Sequence, residues 1–202
     1  MLTALLVIAN VAVFAAELAL GDDNELLIRR WGLVPVDITA SPAAWITLLT
    51  STLLHAGWVH LLVNLIYLAV FGGRAERRLG AARFGLLYLG SGVSGNLAYL
   101  AAQTTSATPA IGASGAIAGL IAADLVLFPK ATLGSLAPVL FSRVVESAPV
   151  LWLLSLWLLA QLLSGIASVT ASTAIAWWAH LGGFAGGLAL APLLRGQRFK
   201  AD

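Results

Sequence analysis

The chain has 202 residues, 60% of them hydrophobic and 10% charged, with a net charge of +2 and a mean hydropathy of +0.94. That balance excludes an ordinary soluble domain and defines a polytopic membrane protein. Without cysteine there can be no disulfide framework, thiolate nucleophile or cysteine-ligated metal, and no basic, aromatic cluster is suited to nucleic acid.

Apolar runs of about 18 to 22 residues predict six membrane spans, near 2–20, 53–72, 84–102, 114–129, 147–164 and 173–194. The expected fold is all-α: one membrane domain over 1–202, with a single long connection at about 21–52. The first run passes into Gly21-Asp22-Asp23-Asn24 without a small-residue cleavage site, so it reads as a retained helix, not a signal peptide. Arg74, Arg77, Arg78 and Arg83 follow the second span, Lys130 and Arg143 separate the fourth and fifth, and Arg195, Arg198 and Lys200 follow the sixth. Only Arg29 and Arg30 fall on the other side. The positive-inside rule therefore puts both termini in the cytoplasm. The long connection and the uncharged loops near 103–113 and 165–172 then face outward.

Ser114 stands out as a small nucleophile between glycines, in Gly112-Ala113-Ser114-Gly115 at the start of the fourth span. Such a serine needs a base. The three histidines, His55, His60 and His180, all lie in or beside apolar segments, where titratable groups are costly and usually functional. Counting 1.5 Å per residue from the outer side places His60 about 10 Å deep, Asn64 one turn deeper on the same face, and His180 at a similar level. The fourth span is about 24 Å long, short of the roughly 30 Å hydrocarbon core, so Ser114 is expected below the outer surface. Residues 103–109 must dip inward to reach it, lining a wet cavity or buried in protein. Gly115 and Gly119, Gly182 and Gly186, and Gly183 and Gly187 form three small-residue faces that allow close helix packing.

Other intramembrane polar groups read as structural. Asn96 is expected to bind neighbouring helices, and Glu17 to reach the interface from the outer end of the first span. Asp124 lies about 15 Å beyond Ser114 along one helix, too far to orient His180; it is expected against a polar partner or near the inner surface. His55 is about 140° round the helix from His60 and is assigned to holding the first loop.

Four segments in order resemble the rhomboid family of intramembrane serine proteases: His55-Ala56-Gly57-Trp58-Val59-His60-Leu61-Leu62-Val63-Asn64, Gly73-Arg74-Ala75-Glu76-Arg77-Arg78-Leu79-Gly80, Gly112-Ala113-Ser114-Gly115-Ala116-Ile117-Ala118-Gly119, and Ala179-His180-Leu181-Gly182-Gly183. Trp31-Gly32-Leu33-Val34-Pro35 is similar to the family as well. The resemblance covers about residues 29–187 and implies a six-helix bundle of the rhomboid kind. It also implies a Ser-His dyad: Ser114 as nucleophile, His180 as general base, and the oxyanion held by the Ser114 N–H, His60 and Asn64. The i, i+4 spacing of His60 and Asn64 agrees with a shared role. Gly112, Gly115, Gly119, Gly183, Gly187, His55 and Glu76 are expected to support the site, with Glu76 capping local backbone or pairing with an arginine. No cofactor or metal is expected. The implied partners are the lipid bilayer and single-pass transmembrane substrates cut near the outer side, and the implied setting is the inner membrane of a prokaryotic cell; nothing in the sequence fixes the oligomeric state.

The sequence departs from the family at two places. Trp45 is followed by Ile46 where many members have arginine, and the position four after the serine, often aromatic, is Ala118. Either the space beside Ala118 is empty or another ring, with Trp177 foremost, fills it. A zinc protease would be expected to show His-Glu-x-x-His, and an aspartyl protease a second intramembrane aspartate; neither is present. A three-histidine metal site would lack its usual acidic support. Two other classes stay open: an inactive relative that escorts membrane helices, and a small transporter with intramembrane His and Asp as a proton path, though no internal repeat favours it.

Overall fold

A computed structural model describes residues 1–131 and 176–196. The predicted span at 147–164, the loop near 165–172, the first residues of the sixth span, and Arg143, Arg198 and Lys200 lie outside the described residues. Among those described, every named element is helical, and the sole strand-like pairing is an isolated antiparallel bridge between Leu33 and Ala110.

Helix α1 runs Leu2–Leu20, as the apolar run predicts, and ends where Gly21 turns to a φ of +53°. Its pattern inverts that of a soluble helix. Leu5, Ile8, Val11 and Leu18 are exposed, while Thr3, Asn10, Phe14 and Glu17 are buried. Thr3, Asn10 and Glu17 are spaced by seven, so they form one stripe on a helix. Apolar side chains outward and polar ones inward is what lipid as solvent requires: helices gain nothing from hiding leucine there, and polar contacts help select the docked face.

The connection expected at 21–52 is not a plain loop. It folds as short helical pieces: α2 (Asn24–Trp31), α3 (Pro35–Ala40) and α4 (Thr47–Thr50), with 3-10 turns at Gly21–Asp23, Pro42–Ile46 and Ser51–Leu53. Tertiary bonds hold it. The Thr50 hydroxyl donates to the Trp31 carbonyl at 2.7 Å, and the Leu33 and Ala110 backbones exchange bonds of 3.1 and 2.8 Å. That exchange gives the 103–113 segment protein partners at Ala110. Asn96 also serves this loop rather than a neighbouring span: its Nδ2 donates to the Leu48 carbonyl at 2.8 Å and to Ser51 Oγ at 2.9 Å.

Helix α5 is Trp58–Tyr67; through a π-helical turn at Leu68–Gly72 it continues into α6, Gly73–Leu79. The predicted start at Leu53 is therefore five residues early, because Leu53 and Leu54 are apolar yet belong to a turn. Leu2–Trp31 and Trp58–Leu79 are the two described stretches long and apolar enough to cross a membrane; α8, Ser114–Leu127, is a shorter apolar helix. Helices α7 (Ala81–Ala102), α8 and α9 (Trp177–Leu194) pack together, with α8 buried continuously from Gly115 to Asp124.

The glycine faces explain that packing. A Cβ on Gly183 would meet the Gly115 carbonyl, and one on Gly187 the Gly119 carbonyl, so this face of α9 lies on α8. Gly182 and Gly186 instead face Ser94 and Ala98 of α7. Helix α9 is thus wedged between two partners at backbone distance.

Of the two structural carboxylates, Glu76 binds further away than expected and Asp124 does not. Glu76 reaches a distant helix start: it accepts the N–H of Leu2 at 2.6 Å and of Thr3 at 2.9 Å, and the Thr3 hydroxyl at 2.7 Å, capping α1. The first N–H groups of a helix have no partners within it, and an anion there also meets the positive end of its dipole. Asp124 has the polar partner expected of it: Arg74 Nε lies 2.9 Å away, under the Phe128 ring, whose centroid is 4.5 Å from the guanidinium carbon. This pair closes the end of α8 opposite Ser114.

Candidate active site

Ser114 is the first residue of α8, where the helix leaves its initial N–H groups unpaired and its dipole is positive. His180 is in the first turn of α9, and its Nε2 lies 2.7 Å from Ser114 Oγ. His60 is in the first turn of α5, and Asn64 follows one turn on. The convergence arises at three helix starts. Helix α5 starts at Trp58, not at Leu53, so His60 is about 3 Å along its axis.

Gly112 shows where His60 and Asn64 point. Its φ is +116°, and a Cβ built there would stand 2.6 Å from His60 Nε2 and 3.7 Å from Asn64 Nδ2. Its N–H donates to the Ser51 carbonyl at 2.9 Å. A side chain at 112 would be strained and would also fill the space these two nitrogens face.

The Ala56 N–H donates to His60 Nδ1 at 3.3 Å. A neutral imidazole that accepts at Nδ1 carries its proton on Nε2, so the nitrogen facing Gly112 is a donor. Asn64 Nδ2 is buried with no hydrogen-bond partner among the described residues. An unpaired buried donor costs stability, which makes it a marker of a group held for something that binds there.

His55 does not sit at a helix edge. It precedes α5, is 1% exposed, and sets its Nδ1 3.2 Å from the Leu53 carbonyl. The His55 and His60 ring centroids are 5.1 Å apart, where the helical-wheel estimate placed them on different faces. Glu17 is also displaced from expectation. It is 2% exposed, accepting the His55 N–H at 3.0 and 3.3 Å with its two oxygens. Sequence reading missed Glu17, Ser51 and Gly95 as parts of the site's frame; a Cβ on Gly95 would collide with the Ala179 carbonyl, one residue before His180. The seven-residue spacing of Thr3, Asn10 and Glu17 was the available signal for the first.

Ala118 is 1% exposed, so its surroundings are filled, and Trp177 packs edge-on against His180 with centroids 5.9 Å apart. Ala118→Phe is therefore expected to overpack α8 and lower stability by about 1 to 3 kcal/mol. A thermal melt checks this; an unchanged or higher melting temperature would mean that space remains there. The first loop carries a cavity of about 520 Å³ lined by Arg29, Arg30, Trp31 and Asp37 among others, and none of the residues around Ser114 lines it.

A profile of the rhomboid domain matches residues 42–197. The chain belongs to the rhomboid family and is an integral membrane protein. It is 36% identical over 113 residues to the putative rhomboid protease YdcA of Bacillus subtilis, covering 55% of this chain and 56% of that one. It is 32% identical over 171 residues to RHOMBOID-like protein 4 of Arabidopsis thaliana, covering 85% and 39%, and 34% identical over 111 residues to inactive rhomboid protein 1 of Drosophila melanogaster, covering 54% and 8%. The chain thus spans little more than half the length of the first of these relatives and less of the other two.

Proposed function

We propose that the chain is an intramembrane serine endopeptidase that cuts single-pass transmembrane segments near the outer side of the membrane. The observation that carries this reading is the 2.7 Å approach of His180 Nε2 to Ser114 Oγ. A serine hydroxyl is a weak nucleophile and requires a base within such reach.

His180 Nε2 takes the Ser114 proton as Oγ attacks the scissile carbonyl carbon. The resulting oxyanion is held by the Ser114 N–H, His60 Nε2–H and Asn64 Nδ2–H, donors already oriented before charge develops. The His180 imidazolium then protonates the leaving amine, and water, deprotonated in turn by His180, releases the acyl group from Ser114. In this reading the bundle has six spans with both termini cytoplasmic, which puts the site on the outward side. Relatives include proteins named as proteases and one named inactive. The presence and contact of both Ser114 and His180 favour the active reading over an escort.

A peptide bond inside a helix hides its carbonyl in the i to i−4 ladder, so the substrate must unwind locally. Purified protein incubated with a transmembrane peptide is expected to yield one cut near the peptide's outward end, after a small residue, and faster with Gly or Pro nearby. Mass spectrometry of the products tests this. A cut at the cytoplasmic end would refute the assigned orientation.

A further inference from the structure

Helix α1 lies outside the segment that matches the family profile, yet it reaches the catalytic neighbourhood through one buried acid. We propose that Glu17 is a positioning residue for His60, acting through the turn His55-Ala56-Gly57. The proposal rests on the peptidase reading, in which His60 is an oxyanion donor.

The connection is continuous. Both Glu17 oxygens lie on the His55 N–H, at 3.0 and 3.3 Å, and the next N–H in the chain, that of Ala56, donates to His60 Nδ1 at 3.3 Å. Gly57, with φ +154°, then redirects the chain into α5. One turn before Glu17 on α1, Phe14 meets Trp58, the first residue of α5, edge to face with centroids 5.0 Å apart. Helix α1 therefore grips the start of α5 from both sides of the turn.

The chemistry requires an acceptor there. The His55 N–H is buried outside any helix and must be satisfied, and an acidic side chain presents two oxygens to a single donor. Without that bond the turn can shift, and Ala56 loses its alignment with His60 Nδ1. The imidazole is then free to carry its proton on Nδ1, which leaves no N–H on the nitrogen that faces Gly112. Turnover should fall while substrate affinity holds, because the His60 hydrogen bond to the oxyanion forms only in the transition state.

The test uses the full chain in proteoliposomes with a transmembrane peptide. Wild-type cleavage that is lost in Ser114→Ala checks the peptidase reading separately. Glu17→Leu is expected to lower kcat by about 10- to 100-fold with KM within about twofold, and Glu17→Gln, which keeps an acceptor, to restore most of it. With only three histidines in the chain, ¹⁵N spectra of histidine-labelled protein should show His60 protonated on Nε2 in wild type and in Glu17→Gln, and a tautomer mixture in Glu17→Leu. Thr3→Val loosens the same helix at its far end, so it should lower the melting temperature without lowering kcat. Wild-type kcat in Glu17→Leu, or an equal loss of kcat in Thr3→Val, would overturn the proposal. Should Glu17→Leu fail to fold, Glu17→Asp decides, since its carboxylate is withdrawn by one methylene: a lower kcat at unchanged KM supports the role, and an unchanged kcat refutes it.

Discussion

Ser114→Ala and His180→Ala are each expected to abolish peptide cleavage while leaving helix content and melting temperature close to wild type. Losing a nucleophile or its base removes most of the rate enhancement, and what the oxyanion donors retain is a residual of about 10³- to 10⁴-fold over water. Cleavage by either variant should therefore fall below detection in an ordinary assay. The effect on folding is small because both side chains are only half-buried and neither stands in the buried core. The double variant should be no worse than either single one, since the two act as a unit. Turnover measured beside a thermal melt checks this; a large fall in melting temperature would mean that the pair also holds α8 to α9.

Gly183→Ala is expected to have the next largest effect. The added Cβ would stand on the Gly115 carbonyl, one residue after Ser114, and a Cβ has no rotamer by which to move away. Helices α8 and α9 must separate, or one must slide. Overpacking of this kind costs about 1 to 3 kcal/mol, and a displacement of about 1 Å at the reacting atoms costs about 100-fold in rate. His180 is one turn before Gly183 and Ser114 is adjacent to Gly115, so the shift reaches the 2.7 Å contact directly. Gly73→Ala is the control, because its Cβ would meet only Arg77 Nη1, a movable side-chain end, at 3.4 Å. The expected result is a loss of both turnover and melting temperature in Gly183→Ala, with neither lost in Gly73→Ala. Wild-type turnover in Gly183→Ala would show that the helices do not meet as described.

The helices with uninterrupted local signals were legible in the sequence. Helix α1 begins and ends where the apolar run does, α7 extends only three residues before its predicted start, and α8 starts at Ser114 as expected. Composition and the breaks at Gly21 and Gly112 suffice there. Features set by distant partners were not legible. Leu53 and Leu54 are apolar and read as the start of a helix, yet Glu17, 38 residues from His55, binds the His55 N–H before the helix begins. Glu76 looked like a local cap because its partners, Leu2 and Thr3, are more than 70 residues distant. The stripes of small residues were visible, but the sequence could not say that one face of α9 takes α8 and the other α7. For the same reason the candidate residues could be chosen by type and order, whereas their equal depth rested on a helix start that the fold does not have. The charge pattern gave an orientation, and it remains part of the proposed reading.

The most direct test is to expose the purified protein in detergent to a fluorophosphonate and to map the adduct by intact-mass and peptide mass spectrometry. A serine activated by a neighbouring imidazole displaces fluoride and keeps the phosphonyl group, whereas an ordinary helix-capping serine does not react. The account predicts one adduct per chain, on Ser114, absent in His180→Ala and formed in parallel with loss of peptide cleavage. An adduct on another residue, or cleavage that continues with Ser114 fully modified, would contradict it.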